Sequence, residues 1–387
     1  CATQHDLTLA YSPGVAAPAL AIERNADDSY RYTSRGNLVA VISNGTAVLG
    51  LGDIGAAAAK PVMEGKCMLF KAMADVNAFD IEVDADDIDS FVDCVTRIAP
   101  TFGGICLEDI KAPECFEIER RLIERLDIPV MHDDQHGTAI VTAAAVINAC
   151  RLTGKRFEDL HITTFGAGAA AIAIMRLLTA MGVDRDNVVM VDRRGVIHTR
   201  RDDLSPYKRE FATRRDISSV DESLRGADVF IGVSKAGLLH PDMIRGMAPQ
   251  PLIMALANPE PEIGMEEALA ARPDAIYASG RSDLPNQVNN LLAFPYVFRG
   301  ALDVRARRID TPMKIAAAET LARLARHTPT QDEHRSGCEP AFCRERLLPT
   351  PFDGRLRDTV PQAVAEAAVR SGAARTDCVP EQTVEAE

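Results

Sequence analysis

The chain has 387 residues, a formal net charge of −13 at pH 7, 47% apolar and 26% charged side chains, and no tryptophan. Its length argues for two or three domains around a large buried core, and its composition is that of a soluble globular protein rather than a disordered one. The acidity excludes a general nucleic-acid or anionic-membrane surface, and no apolar run reaches the roughly eighteen residues of a membrane span.

From the amino terminus, Tyr11 precedes a Ser-Pro-Gly turn, where a phenol is available as a proton donor or as a packed ring. Apolar runs at 38–42, 47–51, 68–70 and 79–83 have strand length, and 84–98 reads as a helix. Gly50, Gly52 and Gly55 form a GxGxxG pattern that lacks a following strand ending in an acid, so it reads as a backbone turn lining a cleft. Lys66 stands ahead of the 68–70 run, and near a metal in dry surroundings its pKa is expected to fall, which suits a base. Lys71 and Lys111 are comparable by composition.

The next stretch is the most informative. Gly104 to Leu107 is a strand ending in Glu108 and Asp109; Pro113 and Glu114 open a helix with Cys115, Ile118, Leu122 and Leu126 on one face; a second strand ends in Asp133 and Asp134. In a βαβ unit the two strands are parallel and their carboxyl ends share one edge, so four carboxylates converge. Such crowding needs a cation or a shared proton, and hard oxygen ligands suit Mg²⁺ or Mn²⁺. His132 and His136 flank the second pair without zincin spacing and are not read as ligands.

An Ala-rich helix at 138–152 leads into alternating strands and helices at 160–165, 169–181, 188–191, 228–233, 252–256 and 275–278, which implies a doubly wound parallel sheet. Gly166 and Gly168, followed by Ala169, Ala170 and Ala171, form a GxGxxA turn opening a helix, and the next strand ends in Asp192. That arrangement cradles a dinucleotide pyrophosphate. Asp192 would accept from a ribose 2′-hydroxyl and favour NAD, whereas Arg193 and Arg194 would meet a 2′-phosphate and favour NADP. Asn258 ends a strand, and Asn289 and Asn290 follow a turn, where amides donate to a carboxylate or cap a helix.

The fold expected is α/β: an amino-terminal α/β substrate and metal domain at 1–138, a Rossmann-like dinucleotide-binding domain at 139–325, and a linker with a carboxy-terminal helical segment at 326–387 packing back on both. A helix is expected at 361–373 and a frayed acidic tail from 376. Nine cysteines without CxxC pairs suggest buried reduced thiols, and the absence of signal-peptide features suggests the cytoplasm. The chain opens on Cys1, so a preceding piece is expected.

Together, Tyr11-Ser12-Pro13-Gly14-Val15, Gly50-Leu51-Gly52-Asp53-Ile54-Gly55, the Thr101 to Ile105 segment with Glu108-Asp109-Ile110, and His132 to Thr138 resemble the malic enzyme family. Gly166 to Ala171, Ala257-Asn258-Pro259, Gly280-Arg281-Ser282-Asp283 and Asn286 to Asn290 extend the resemblance over nearly the whole chain. Pro349 to Asp353 is similar to the compact bacterial branch, and no phosphotransacetylase-like extension is expected.

The resemblance implies oxidative decarboxylation of L-malate to pyruvate and CO₂ with reduction of NAD(P), a divalent metal, and a homodimer or higher homo-oligomer. By motif position it makes Glu108, Asp109 and Asp134 the metal ligands, Lys66 the base, Asp133 its tuner, Tyr11 the acid, and Asn258, Asn289 and Asn290 the malate contacts, with Asn258 also near the cofactor. The two arginines after Asp192 tilt the expectation to NADP. Larger relatives carry a carboxylate-clamping arginine where this chain has Ala47, which leaves the clamp unassigned. In the compact branch the lysine segment reaches across a dimer interface, leaving open which subunit's site Lys66 serves. The alternatives are an oxaloacetate decarboxylase without net hydride transfer and a non-catalytic dinucleotide-binding regulator.

Overall fold

The computed structural model describes residues 2–48, 50–327 and 342–376. Most of the expected linker and nearly all of the acidic tail lie outside them. Two parallel sheets organise the chain. The first contains β1 (Leu38–Ser43), β2 (Asn77–Glu82), β3 (Gly104–Leu107) and β4 (Val130–His132) in the order β2-β1-β3-β4. β1 and β3 are buried throughout, as parallel strands covered by helices on both faces must be. The crossover helices are Ala56–Ala74, Ile88–Ile98 and Glu114–Arg125.

Two expected strands are absent. Run 68–70 lies inside the Ala56–Ala74 helix, whose buried residues Ala56, Ala59, Met63, Lys66, Phe70 and Ala74 recur at three- and four-residue steps. Pro61 and Gly65, both poor interior helix residues, interrupt that pattern in the sequence. In run 47–51, Val48 forms only an isolated bridge to Gly52 across the glycine turn. The next helix starts later than expected, at Ile88, because Asp87 and Ser90 form a capping box.

The second sheet has β5 (Ile162–Phe165), β6 (Val188–Asp192), β7 (Gly195–Val196), β8 (Val229–Gly232), β9 (Leu252–Ala255) and β10 (Ile276–Ser279) in the order β10-β9-β8-β5-β6-β7. Only β7 runs antiparallel. The Asp133–Thr153 helix links the sheets, and thirteen of its residues are buried. Segments following β10 return to the first sheet: Phe294 and Phe298 of the Phe294–Asp303 helix meet the Phe70 ring at centroid distances of 4.8 and 5.5 Å. The last helix is Leu356–Ser371, with Pro361 inside it rather than at its start.

The Gln4–Ala10 and Ala16–Arg24 helices bury no residue. Leu7, Leu9, Val15 and Leu20 on this arm are exposed. Among the described residues, Cys67, Cys94, Cys106, Cys115, Cys150 and Cys343 are free thiols, and no helix is long and apolar enough to cross a membrane.

Candidate active site

β3 and β4 end side by side, with Leu107 in register with His132, so the residues just beyond them share one edge of the sheet. Glu108 and Asp109 leave β3, and Asp109 adopts a left-handed φ of 53° that turns the chain back. Asp133 and Asp134 form the first turn of the Asp133–Thr153 helix rather than a loop before it. Carboxylates there meet the positive end of the helix dipole. Ligand oxygens of Glu108, Asp109 and Asp134 lie within 4.8 Å of one another, and Asp134 Oδ2 also accepts from the Asp109 backbone N–H at 2.8 Å.

The Ala56–Ala74 helix delivers Lys66 to the same point. Its Nζ is 2.5 Å from Glu108 Oε1, donates to Asp133 Oδ2, and lies 4.4 Å from the centre of the Phe294 ring. All these groups lie on the one chain described. Lys66, Glu108 and Asp133 are each buried. Burial would depress the lysine, but the charges of Asp133 and Glu108 outweigh it and hold the ammonium well above its ordinary pKa. Burial and Asp134 push Glu108 well above the usual carboxylate range, and burial raises Asp133 against the pull of Lys66.

The donor set fits a divalent cation. Three hard oxygen ligands converge, and Glu108 Oε2 is buried without a hydrogen-bond partner.

Sequence reading missed two supports of this cluster. A Cβ on Gly137 would collide with Asp133 Oδ1 and come within 2.9 Å of Asn290 Cβ, so a hydrogen at this position is what lets Asp133 and Asn290 close on the helix start. Glu119 accepts from the His132 backbone N–H at 2.7 Å and from His136 Nε2 at 3.0 Å, while Lys314 Nζ donates to His136 Nδ1 at 3.0 Å. Burial would raise Glu119, but His136 and then Lys314 hold its pKa down to about 2. The residues around Glu119 are distant in sequence, and only a lone Glu on the otherwise buried face of its helix hinted at a partner. His132 and His136 therefore stand behind the carboxylates.

The glycine turn packs beside Asp109 and Asn258. The Ala47 N–H donates to the Asp109 carbonyl at 2.9 Å, Lys111 lies 3.6 Å from Asp53, and a Cβ on Gly50 would come within 2.9 Å of the Asn258 carbonyl. Asn258 borders Gly280 as well. Asn290 sits against the acid cluster, while the Asn289 side chain caps a short turn by accepting from the Leu291 N–H at 2.9 Å. Tyr11 is 69% exposed between the two helices of the unburied arm and is not brought to the cluster.

At the second sheet, Gly166 follows β5 with φ 114°, where a side chain would meet the Val233 carbonyl at 2.7 Å. Gly168 caps the Ala169–Ala180 helix, so Ala169 and Ala170 occupy its first turn. β6 ends in Asp192, but that carboxylate is engaged: it accepts from Arg201 Nη1 at 2.8 Å and Nη2 at 3.1 Å, Lys208 Nζ at 2.7 Å and the Arg194 N–H at 2.9 Å. Burial opposes it, yet the hydrogen bonds from Arg201 and Lys208 carry Asp192 far below the usual carboxylate range. Neither cation adjoins Asp192 in the sequence, and both escaped notice there.

Comparison with known proteins decides the family. The family model "Malic enzyme, N-terminal domain" matches residues 1–123, and "Malic enzyme, NAD binding domain" matches residues 135–335. The chain belongs to the malic enzyme family. It is 55% identical over 377 residues to the NADP-dependent malic enzyme of Rhizobium meliloti, covering 97% of this chain and 50% of that one. It is 55% identical to the NADP-dependent malic enzyme of Halomonas elongata, covering 97% of this chain and 89% of that one. The malic enzyme structure from Pyrococcus horikoshii superposes with a TM-score of 0.90 at 44% identity, covering 98% of this chain and 87% of that one. The chain thus spans about half the length of the Rhizobium malic enzyme and most of the Halomonas one. The α/β malic enzyme fold expected from the motifs is the fold observed.

Proposed function

We propose that this chain catalyses divalent-metal-dependent oxidative decarboxylation of L-malate to pyruvate and CO₂ with reduction of NADP. The observation that carries the reading is Lys66, buried between Glu108 and Asp133 beside three convergent carboxylate ligands. Glu108, Asp109 and Asp134 would hold Mg²⁺ or Mn²⁺. When bound, such an ion would supply the positive charge that favours departure of the β-carboxylate as CO₂. In its neutral form Lys66 Nζ, oriented by Asp133, would take the proton of the malate C2 hydroxyl as the substrate is oxidised. Asn290 and Asn258 offer amides to malate, and Asn289 shapes the turn beside them.

Tyr11 is proposed as the acid that protonates C3. It stands on an arm that buries nothing against its own chain, so its delivery requires docking of that arm, which a homodimer would provide through exposed Leu7, Leu9, Val15 and Leu20. We take residues 1–138 as the metal domain, 139–325 as the cofactor domain and 326–387 as the returning segment. The packing of the Leu356–Ser371 helix against the Phe294–Asp303 and Thr311–Arg326 helices supports that return.

The test is absorbance of reduced cofactor on mixing the protein with L-malate, Mn²⁺ and NADP. Formation of NADPH with stoichiometric pyruvate is expected. Its absence would sink the reading, and CO₂ release from oxaloacetate without it would favour the decarboxylase.

A further inference from the structure

The last turn of the Asp133–Thr153 helix, the end of the Ala169–Ala180 helix and the Thr311–Arg326 helix enclose a cleft of about 980 Å³. That volume lies near the top of the range for small-molecule sites, about 300–1,000 Å³. The cleft is remote from both sites described above. Arg151 stands near the far end of the helix whose first turn carries Asp134, about 25 Å along its axis. Met181 caps the end of the helix that Gly168 opens, about 18 Å from the glycine turn.

Ile147, Phe157, Met181 and Ile315 give the cleft apolar walls, and Arg151, Lys155 and Arg326 line it with cations; Glu319, exposed, is the one acid among the lining residues. Lys155 is neutralised by Asp228, 2.7 Å away. Arg326 is not: it is half-buried, donates from Nη1 to Asn148 Oδ1 at 3.1 Å, and has no ion pair among the described residues. Asn148 is fully buried and is itself fixed by donating to the Ala322 and Leu347 carbonyls at 2.9 and 2.7 Å, so it holds the guanidinium at the cleft. Burial, then the charges of Arg151 and Arg323, lower the pKa of Arg326. The bland reading is that basic residues in a last helical turn complement the helix dipole. It suits Arg151 and Arg323 taken singly, but Arg326 turns to an amide on the neighbouring helix, and three arginines gather on a chain of net charge −13. Crowded like charges, one of them half-buried, are relieved by an anion.

We propose that this cleft is a binding site for a small organic anion, a flat apolar body carrying a phosphate group: the apolar walls take the body, and Arg326 and Arg151 take the phosphate oxygens, which planar guanidinium groups suit. Neither the metal ligands nor the dinucleotide turn takes part, so the catalytic reading stands or falls separately.

Calorimetry on the full chain tests the site with 1-naphthyl phosphate as probe, NADP being present throughout to keep the probe off the dinucleotide turn. One equivalent is expected to bind, at least about tenfold more tightly than inorganic phosphate because the ring is buried. Arg326→Gln should weaken it about tenfold or more, the loss of a charge-assisted hydrogen bond. Since Arg326 also bonds Asn148, a variant that does not disturb the fold decides: Arg151 is exposed and unpaired among the described residues, and Arg151→Glu should weaken the probe by a similar factor while malate turnover without probe stays unchanged. Unchanged affinity in Arg151→Glu overturns the proposal, as does failure of the unmodified protein to bind the probe. Inorganic phosphate binding as tightly as the naphthyl ester overturns the ligand class, because the apolar walls would then contribute nothing.

Discussion

The two charged edges of this molecule are built with opposite excess. At the ends of β3 and β4, Glu108, Asp109, Asp133 and Asp134 surround Lys66, so anionic groups outnumber the cation and the arrangement calls for more positive charge. At the end of β6, Arg194, Arg201 and Lys208 share Asp192 and Asp203, with Arg193 alongside, so the excess is cationic and calls for an anion. Lys66, Glu108 and Asp133 at the first edge are buried, whereas Arg193 and Arg194 at the second are exposed. An unmet charge in a dry site shifts pKa values strongly, whereas at the surface it is screened and acts mainly through ligand choice. The difference teaches that one α/β scaffold sets reactivity where it excludes water and selectivity where it admits it.

Breaking the buried edge should have the largest effect. Lys66→Ala removes the proposed base and leaves Asp133 and Glu108 without their cation, and malate oxidation measured by NADPH absorbance should fall about 10²–10⁴-fold. Binding of NADP should not change, since its proposed site lies on the other sheet. A parallel loss of nucleotide affinity would show that the two edges are not independent. Asp134→Asn should abolish the dependence of turnover on Mn²⁺ along with turnover itself, and an unchanged metal titration would remove Asp134 from the ligand set.

Next comes the support behind that edge. Glu119→Ala would strip a buried carboxylate from His136 and the His132 N–H, and loss of one partner of a buried pair costs about 3–5 kcal/mol, which denaturant unfolding would register. The pH dependence has a defined sign. Glu119 is held at about 2 in the folded chain against an ordinary value of 4.5, so its contribution is complete above 4.5 and disappears as pH falls from there towards 2. Glu119→Gln should flatten the acid limb of the stability curve in that window; an unchanged limb would assign acid sensitivity to other carboxylates.

Gly137→Ala tests position rather than charge. The added methyl must displace Asp133 or Asn290, and a misplacement on the order of 1 Å near reacting groups costs about 10²-fold in rate. Loss of activity with a retained melting temperature is expected. A melting temperature that collapses with the activity would make Gly137 a packing residue only.

What could be read from the sequence divides along the same line. The second sheet was legible because its strands are short apolar runs between helices, and Gly166, Gly168 and Asp192 stand at fixed places in a local unit. The first sheet's acid pairs were legible as residue types at strand ends, but the helix carrying Lys66 was not, because Pro61 and Gly65 disguise its period. Asp133 and Asp134 looked like loop residues although acids in a first turn are a helix-start signal. Glu119, Arg201 and Lys208 escaped for a different reason: each acts on a residue 9 to 17 positions away, at distances only the folded chain sets. Gly137 matters for a side chain it does not have.

The smallest effect should come from the open edge. Arg193 is exposed and unpaired among the described residues, so Arg193→Gln removes one screened contact to a phosphate and leaves the Asp192, Arg201 and Lys208 set in place. A single exposed charge contact is worth about 0.2–1 kcal/mol, which predicts a rise in the dissociation constant for NADP of no more than about fivefold. Raising the salt concentration should shrink the gap between variant and unmodified protein, because the lost term is electrostatic and open to solvent. A gap that persists at high salt would mean that Arg193 is desolvated when the cofactor binds, and would move this residue from the open edge to the buried kind.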